Sequence, residues 1–196
     1  MSSVDRAIWN KLRVKQHDNV PYCGWGATRI ALAELFGELG FKRGAEIGVA
    51  RGEYSEILCQ KNPGLELFCI DVWAPNAKRR LRRAQEENFA QAKQRLEKFN
   101  AKLIRKASMD ALGDVADGSL DFVYIDADHE FESVMLDIIH WSHKVRAGGI
   151  VSGHDYCWGY RTGVVAAVDG YVSGMGIQSW YLTNHDREPS WLWVKW

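Results

Sequence analysis

Apolar positions along the chain fall into two rhythms that take turns. Ile30, Ala33, Leu35, Phe36 and Leu39 repeat at helical spacing until Gly40, and residues 4–15 carry a shorter helical pattern ahead of them. Short apolar runs at 44–49, 65–71, 101–106, 120–126 and 148–153 then read as strands separated by stretches of helical period. Tyr54, Ile57 and Leu58 mark one such helix, Phe131, Val134, Met135, Ile138 and Trp141 another, and Val164, Val165, Val168, Tyr171 and Val172 a third. Repeated strand–helix units predict a parallel sheet covered on both faces. The end of the chain breaks the rhythm. "QSWYLTN" and "SWLWVKW" are strand-like runs joined only by the turn-rich "HDREP", which predicts an antiparallel hairpin. The expected fold class is α/β, a doubly wound, mostly parallel seven-stranded sheet with a C-terminal antiparallel hairpin.

Composition adds limits to this picture. The 196 residues suit one domain, with helices over 1–40 preceding an α/β core over 41–196, and no repeat or low-complexity linker divides them. Basic and acidic residues number 25 each, so no global field favours nucleic acid or an anionic membrane, and a small-molecule partner gains by comparison. Cys23, Cys59, Cys69 and Cys157 form no C-x-x-C pair, which fits reduced thiols. Charged residues interrupt the N-terminal apolar positions, and no stretch is apolar enough to span a bilayer. A soluble, cytoplasmic protein is expected.

In open α/β sheets ligands collect at the carboxyl ends of the strands, and those ends carry the chemistry here. The first leads into "GAEIGVARGEYSEIL", where Gly48 and Gly52 allow a sharp turn and close approach of backbone to a ligand, ahead of a helix N-terminus. Glu46 precedes the turn and Ser55 follows it. A dinucleotide fingerprint would want glycine where Glu46 and Arg51 stand, which weakens an NAD reading. The second strand ends in Asp71, placed to hold ribose hydroxyls. After the third, Ser108 and Met109 suit the edge and face of an adenine, with a helix N-cap at Ser108 as the alternative. The fourth ends in Asp126, followed by Asp128 and His129, and the fifth in His154 and Asp155. Neighbouring parallel strands would bring these together. Asp126, His154 and Asp155 then offer hard oxygen and imidazole ligands for Mg²⁺ or Mn²⁺, with His129 left to accept a proton.

Taken in order, Glu46 to Ser55, Ile70 to Trp73, Tyr124 to His129 and Gly148 to Tyr156 resemble the class I methyltransferase family that contains macrocin-type sugar O-methyltransferases and cephalosporin hydroxylase-like relatives. The resemblance extends from about residue 44 to residue 172. It implies a Rossmann-like fold whose last strand inserts beside the fifth. It also implies S-adenosylmethionine held by Glu46, Gly48, Gly52 and Asp71, a divalent metal at Asp126 and the His154–Asp155 pair, and a base at His129. The sugar enzymes carry Glu-Asp where this chain has His154-Asp155, and a small residue is common at the position of Asp128. The expected activity is metal-assisted O-methylation of a small hydroxylated acceptor, sugar-like or phenolic. A non-catalytic recognition module and a nucleotide-dependent oxidoreductase or hydroxylase-like enzyme are the alternatives.

The basic cluster at Lys78, Arg79, Arg80, Arg82 and Arg83 precedes Glu86 and Glu87 in a helical stretch and reads as a solvated helix rather than a nucleic-acid surface. Trp191 and Trp193 alternate as strand residues of a core or an interface, and an exposed tryptophan near the C-terminus would favour a homodimer. Trp73, Tyr156, Trp158 and Tyr160 follow the strand-end acids and either line an acceptor pocket or simply pack.

Overall fold

The computed structural model describes residues 1–15, 20–74, 82–157, 159 and 162–196, with the backbone alone for 82 and 83. Its strands are β1 (Tyr22–Cys23), β2 (Arg43–Ile47), β3 (Glu66–Asp71), β4 (Ala101–Arg105), β5 (Leu120–Ile125), β6 (Val145–Gly153), β7 (Trp180–Leu182) and β8 (Trp191–Val194). Its helices are α1 (Ser3–Lys11), α2 (Arg29–Glu38), α3 (Glu53–Lys61), α4 (Arg82–Leu96), α5 (Phe131–Lys144) and α6 (Thr162–Gly174). One sheet runs in the order β1-β7-β8-β6-β5-β2-β3-β4. The chain winds outward from β2 through β3 to β4, then returns to the other side of β2 with β5 and β6, so the switch in direction lies between β2 and β5. β8 inserts antiparallel between β6 and β7, as expected of the hairpin.

The expected seven strands are joined by an eighth. β1 is two residues long, pairs parallel with β7, and packs Tyr22 against Trp9 and Tyr181. Two residues are too few to show a period-two pattern, which is why the sequence does not announce this strand.

Alternation along each strand sorts the core into two layers. Ala45, Ile47, Phe68, Ile70, Val123, Ile125 and Val151 face α5 and α6. Leu67, Cys69, Phe122, Tyr124 and Ile150 face α2 and α3. Side chains at successive strand positions point to opposite faces, so Glu46, between Ala45 and Ile47, falls on the α2–α3 side. Trp191 and Trp193 are buried and stack at 5.0 Å on the α6 side, settling them as core. Trp196 is exposed. Cys59, Cys69 and Cys157 are buried, Cys23 is exposed, and all four are free thiols. Among the described residues, no helix is long and apolar enough to cross a membrane.

Candidate active site

Strand register explains why distant residues meet. Ile47 pairs with both Ile70 and Ile125, and Ile125 pairs with Gly153. The residues one step beyond, Gly48, Asp71, Asp126 and His154, therefore lie at one level around the switch point. Backbone bonds extend the register by that step: Gly48 N–H donates to Ile70 O, Asp126 N–H to Ile47 O and His154 N–H to Ile125 O.

The glycine turn is held from β3. Gly48 has φ +94°, and a Cβ built there would lie 2.1 Å from the Asp126 carbonyl oxygen, so only glycine admits this approach of the two loops. Gly52, with φ +76°, is the N-cap of α3. Ala50 is gripped at both backbone atoms: its N–H donates to Asp71 Oδ2 at 2.9 Å and its carbonyl accepts from Trp73 Nε1 at 2.7 Å. The other Asp71 oxygen accepts from Trp73 N–H at 3.0 Å. Trp73 thus acts as a fully buried clamp on the turn rather than as pocket lining. Tyr156 is likewise packed, donating to Asp169 and meeting Trp180 edge-on. Trp158 and Tyr160 lie outside the described residues, as do Lys78, Arg79 and Arg80 and the side chains of Arg82 and Arg83.

A cleft of about 630 Å³ opens beside this turn, lined by Gly48, Asp71, Ser108, Met109, His129 and Asp137 among others. Of the expected ligand-binding residues, Gly48, Asp71, Ser108 and Met109 line it. Glu46, Gly52 and Ser55 do not: Gly52 faces Ala92 and Leu96 of α4, and beneath the turn the Ser55 hydroxyl donates to the Glu46 carboxylate. Burial pushes Glu46 up to about 8, against the Ser55 bond. Ser108 caps no α-helix. Its hydroxyl donates to Asp137 Oδ1 and accepts from Trp141 Nε1 at 2.7 Å. Asp137 is a site residue the sequence reading missed, and burial pushes it up to about 6 despite the Ser108 bond. A signal existed, since Asp137 shares the inward face of α5 with Val134, Ile138 and Trp141, where a carboxylate needs a partner.

The acids beyond β5 and β6 form a second cluster. Donor atoms of Asp126, His154 and Asp155 all lie within 4.8 Å of one another. His154 Nδ1 is 3.3 Å from Asp155 Oδ1 and 3.8 Å from Asp126 Oδ2, while His129 Nε2 is 2.7 Å from Asp155 Oδ2. Asp155 adopts φ +64°, a left-handed conformation that aspartate tolerates better than most residues. Gly163 opens α6 against the loop that carries His129; a Cβ there would meet the His129 carbonyl at 2.4 Å. Burial pushes Asp126 up to about 6 against the pull of His154. Burial opposes ionisation of Asp155 too, but hydrogen bonds from His129 and His154 outweigh it and hold that carboxyl well below the usual range. His154 is raised, its pairing with Asp155 and Asp126 overcoming burial. A small cavity of about 10 Å³ lies among these groups, and His129 and Asp128 line both it and the larger cleft.

A doubly wound sheet with an antiparallel last hairpin, a glycine turn after its central strand and an acid at the next strand end defines the class I methyltransferase fold. The chain belongs to the methyltransferase domain family, whose model matches residues 45–156. Solved structures agree in fold. An O-methyltransferase from Bacillus cereus, in complex with S-adenosylhomocysteine, superposes with a TM-score of 0.64 at 15% identity, covering 100% of this chain and 92% of its own. TomG from Streptomyces achromogenes, an O-methyltransferase of tomaymycin synthesis in complex with S-adenosylmethionine, gives 0.62 at 15% identity with 100% of both chains covered. No curated protein matches the chain in sequence.

Proposed function

We propose that this methyltransferase moves a methyl group from S-adenosylmethionine to a hydroxyl of a small metabolite, sugar-like or phenolic, with a divalent cation, Mg²⁺ or Mn²⁺, at the acceptor. The observation that carries this reading is the shared wall of the two sites: His129 lines both the cleft beside the glycine turn and the pocket of Asp126, His154 and Asp155.

The cleft suits a nucleoside cofactor. Its volume of about 630 Å³ is that of a small-molecule site. The missing side chain of Gly48 lets the Asp126 backbone close on the turn. Both Asp71 oxygens accept backbone N–H groups, and Asp71 lines the cleft, where its carboxylate is placed to accept from ribose hydroxyls. Met109 supplies an apolar face and Ser108 is held in place by Asp137 and Trp141. Glu46 and Ser55 support the turn from below. Bound S-adenosylmethionine supplies a methyl group on a positive sulfur that leaves as a neutral thioether.

The donor set of the second cluster, two carboxylates and an imidazole, fits a hard divalent cation. Asp126, His154 and Asp155 would hold it. When bound, such an ion supplies Lewis acidity that lowers the pKa of an acceptor hydroxyl. With Nε2 donating to Asp155, Nδ1 is the basic nitrogen of His129 and takes the acceptor proton as the new oxygen–carbon bond forms. Positioning and proton removal account for the chemistry, and no Cys or Ser nucleophile is needed. A chain with zero formal charge and no membrane-crossing helix among its described residues is consistent with a cytoplasmic enzyme of small molecules.

Calorimetric titration with S-adenosylhomocysteine and NAD in parallel tests the cofactor assignment. Binding of the former at about 1 to 100 μM is expected. Tight binding of NAD without S-adenosylhomocysteine would overturn it.

A further inference from the structure

The acids at the strand ends face a cation that the reading above leaves without work. Arg29 is the first residue of α2, and its backbone is anchored twice. Its N–H donates to Asp186 Oδ2 at 2.6 Å, and its carbonyl accepts from the Tyr54 hydroxyl at 2.9 Å. The segment before it is stitched to the C-terminal hairpin as well, through Gly24 N–H to Leu182 O at the end of β7 and Gly26 N–H to Asn184 Oδ1 in its loop. The guanidinium lies over the Tyr54 ring, 5.2 Å from its centroid, with NH1 3.9 Å from Asp126 Oδ2. That is beyond hydrogen-bond length. Among the described residues the guanidinium makes no hydrogen bond, and 35% of the side chain stays exposed.

Simple neutralisation of Asp126 does not explain this pose. An arginine serving that purpose closes to a two-pronged contact at about 2.7–2.9 Å, whereas stacking and the backbone anchors hold Arg29 back. A divalent ion at Asp126 would moreover repel a guanidinium about 4 Å from one of its ligand oxygens, unless an anion lay between the two cations. Arginine's planar fork of five N–H donors matches a carboxylate. We propose that Arg29 is an anion clamp, its guanidinium binding a ligand carboxylate at the edge of the acidic cluster.

Two molecules at this site can bring a carboxylate: the acceptor, or the amino-acid end of the cofactor. Arg29 lines neither the nucleoside cleft nor the small pocket, but its guanidinium stands 3.9 Å from Asp126, which favours the acceptor and defines it as a hydroxy-carboxylate. That assignment rests on the methyl-transfer reading, as does the repulsion from a divalent ion; the stacked, unclosed pose of Arg29 does not.

Binding to wild type, Arg29→Gln and Arg29→Lys tests the proposal, with the backbone anchors intact in each. The probes are S-adenosylhomocysteine, 5′-methylthioadenosine, which lacks the carboxylate, and, with S-adenosylhomocysteine and Mg²⁺ saturating, salicylate against phenol and glycerate against glycerol. The acceptor assignment predicts that wild type prefers at least one hydroxy-carboxylate over its neutral partner by about tenfold or more. Arg29→Gln should lose that preference, Arg29→Lys should keep part of it, and both variants should bind S-adenosylhomocysteine as wild type does. A tenfold loss of S-adenosylhomocysteine in Arg29→Gln, with 5′-methylthioadenosine unchanged, supports the clamp and moves its carboxylate to the cofactor. If wild type binds S-adenosylhomocysteine, and Arg29→Gln alters neither that affinity nor any carboxylate preference, the clamp is refuted while the methyl-transfer reading stands. If wild type fails to bind S-adenosylhomocysteine at all, the cofactor reading falls and takes the acceptor assignment with it.

Discussion

The glycine turn and the acidic cluster lie on adjoining strand ends, yet they are built in opposite ways. At the turn, polar groups close on one another: Ala50 is held at both backbone atoms, both Asp71 oxygens accept backbone N–H groups, and Ser55 satisfies Glu46. At the cluster Asp155 is bonded by His129 and His154, but Asp126 closes on neither of its cationic neighbours. Asp126 reaches only 3.8 Å from His154 and 3.9 Å from Arg29, and like charges on Asp126 and Asp155 share one small pocket. A closed network makes a preformed receptacle, whose binding cost was met during folding. An open one keeps electrostatic capacity for a ligand that has yet to arrive. On the function proposed above, the closed half would receive the cofactor and the open half would do the chemistry.

If the cluster is the chemical half, damage there should cut turnover and spare cofactor affinity. His129→Asn should lower kcat by roughly 10² to 10⁴ with S-adenosylhomocysteine affinity unchanged. His154→Asn should instead raise the metal concentration needed for activity, an effect that excess Mg²⁺ reverses by mass action. Rescue of the His129 variant by metal, and not of the His154 variant, would reverse the two roles.

The closed half should reveal itself through stability. Glu46 has a folded value of about 8 against an ordinary 4.5. Its contribution is therefore fully present below about pH 4.5 and lost as pH rises through 8, a change on the order of a few kcal/mol. Denaturant titrations from pH 5 to 9 should show wild type weakening with pH and Glu46→Gln staying flatter; parallel curves would show that Glu46 is not buried as described.

Gly48→Ala should cost roughly 2–3 kcal/mol, because it combines a left-handed conformation with contact against backbone that cannot move aside. A melting temperature equal to that of wild type would show that the two loops are not so closely apposed. The smallest effect is expected at Asp71. Asp71→Ala frees the turn and removes the acceptor for ribose hydroxyls, weakening S-adenosylhomocysteine by about tenfold, with unaltered binding as the contrary result.

Legibility in the sequence follows the same divide. The glycine turn is contiguous in sequence and the strands around it carry clean periodicity, so β2 to β6, the hairpin and the candidate residues at the strand ends can be read directly. What escapes is whatever depends on a partner distant in sequence. Ser108 is committed to Asp137 and Trp141 across the gap between a loop and α5. Arg29 opens an ordinary apolar helix, and only the pairing of residues 24–29 with the C-terminal hairpin loop brings it to Asp126. Trp73 and Tyr156 show the converse limit. An aromatic residue beside a strand-end acid looks alike in sequence whether it lines a pocket or packs, and both pack here.

On the proposed function, strand register builds two adjoining sites, one for a nucleoside cofactor and one for a divalent cation. Titration with Mn²⁺, followed by paramagnetic resonance on wild type and Asp126→Asn, tests it most directly when S-adenosylhomocysteine binding is measured on the same samples. One Mn²⁺ should bind per wild-type chain and be lost in Asp126→Asn, with cofactor affinity preserved in both. Wild-type protein that binds no stoichiometric Mn²⁺, or an Asp126→Asn variant that binds it equally well, would contradict the claim.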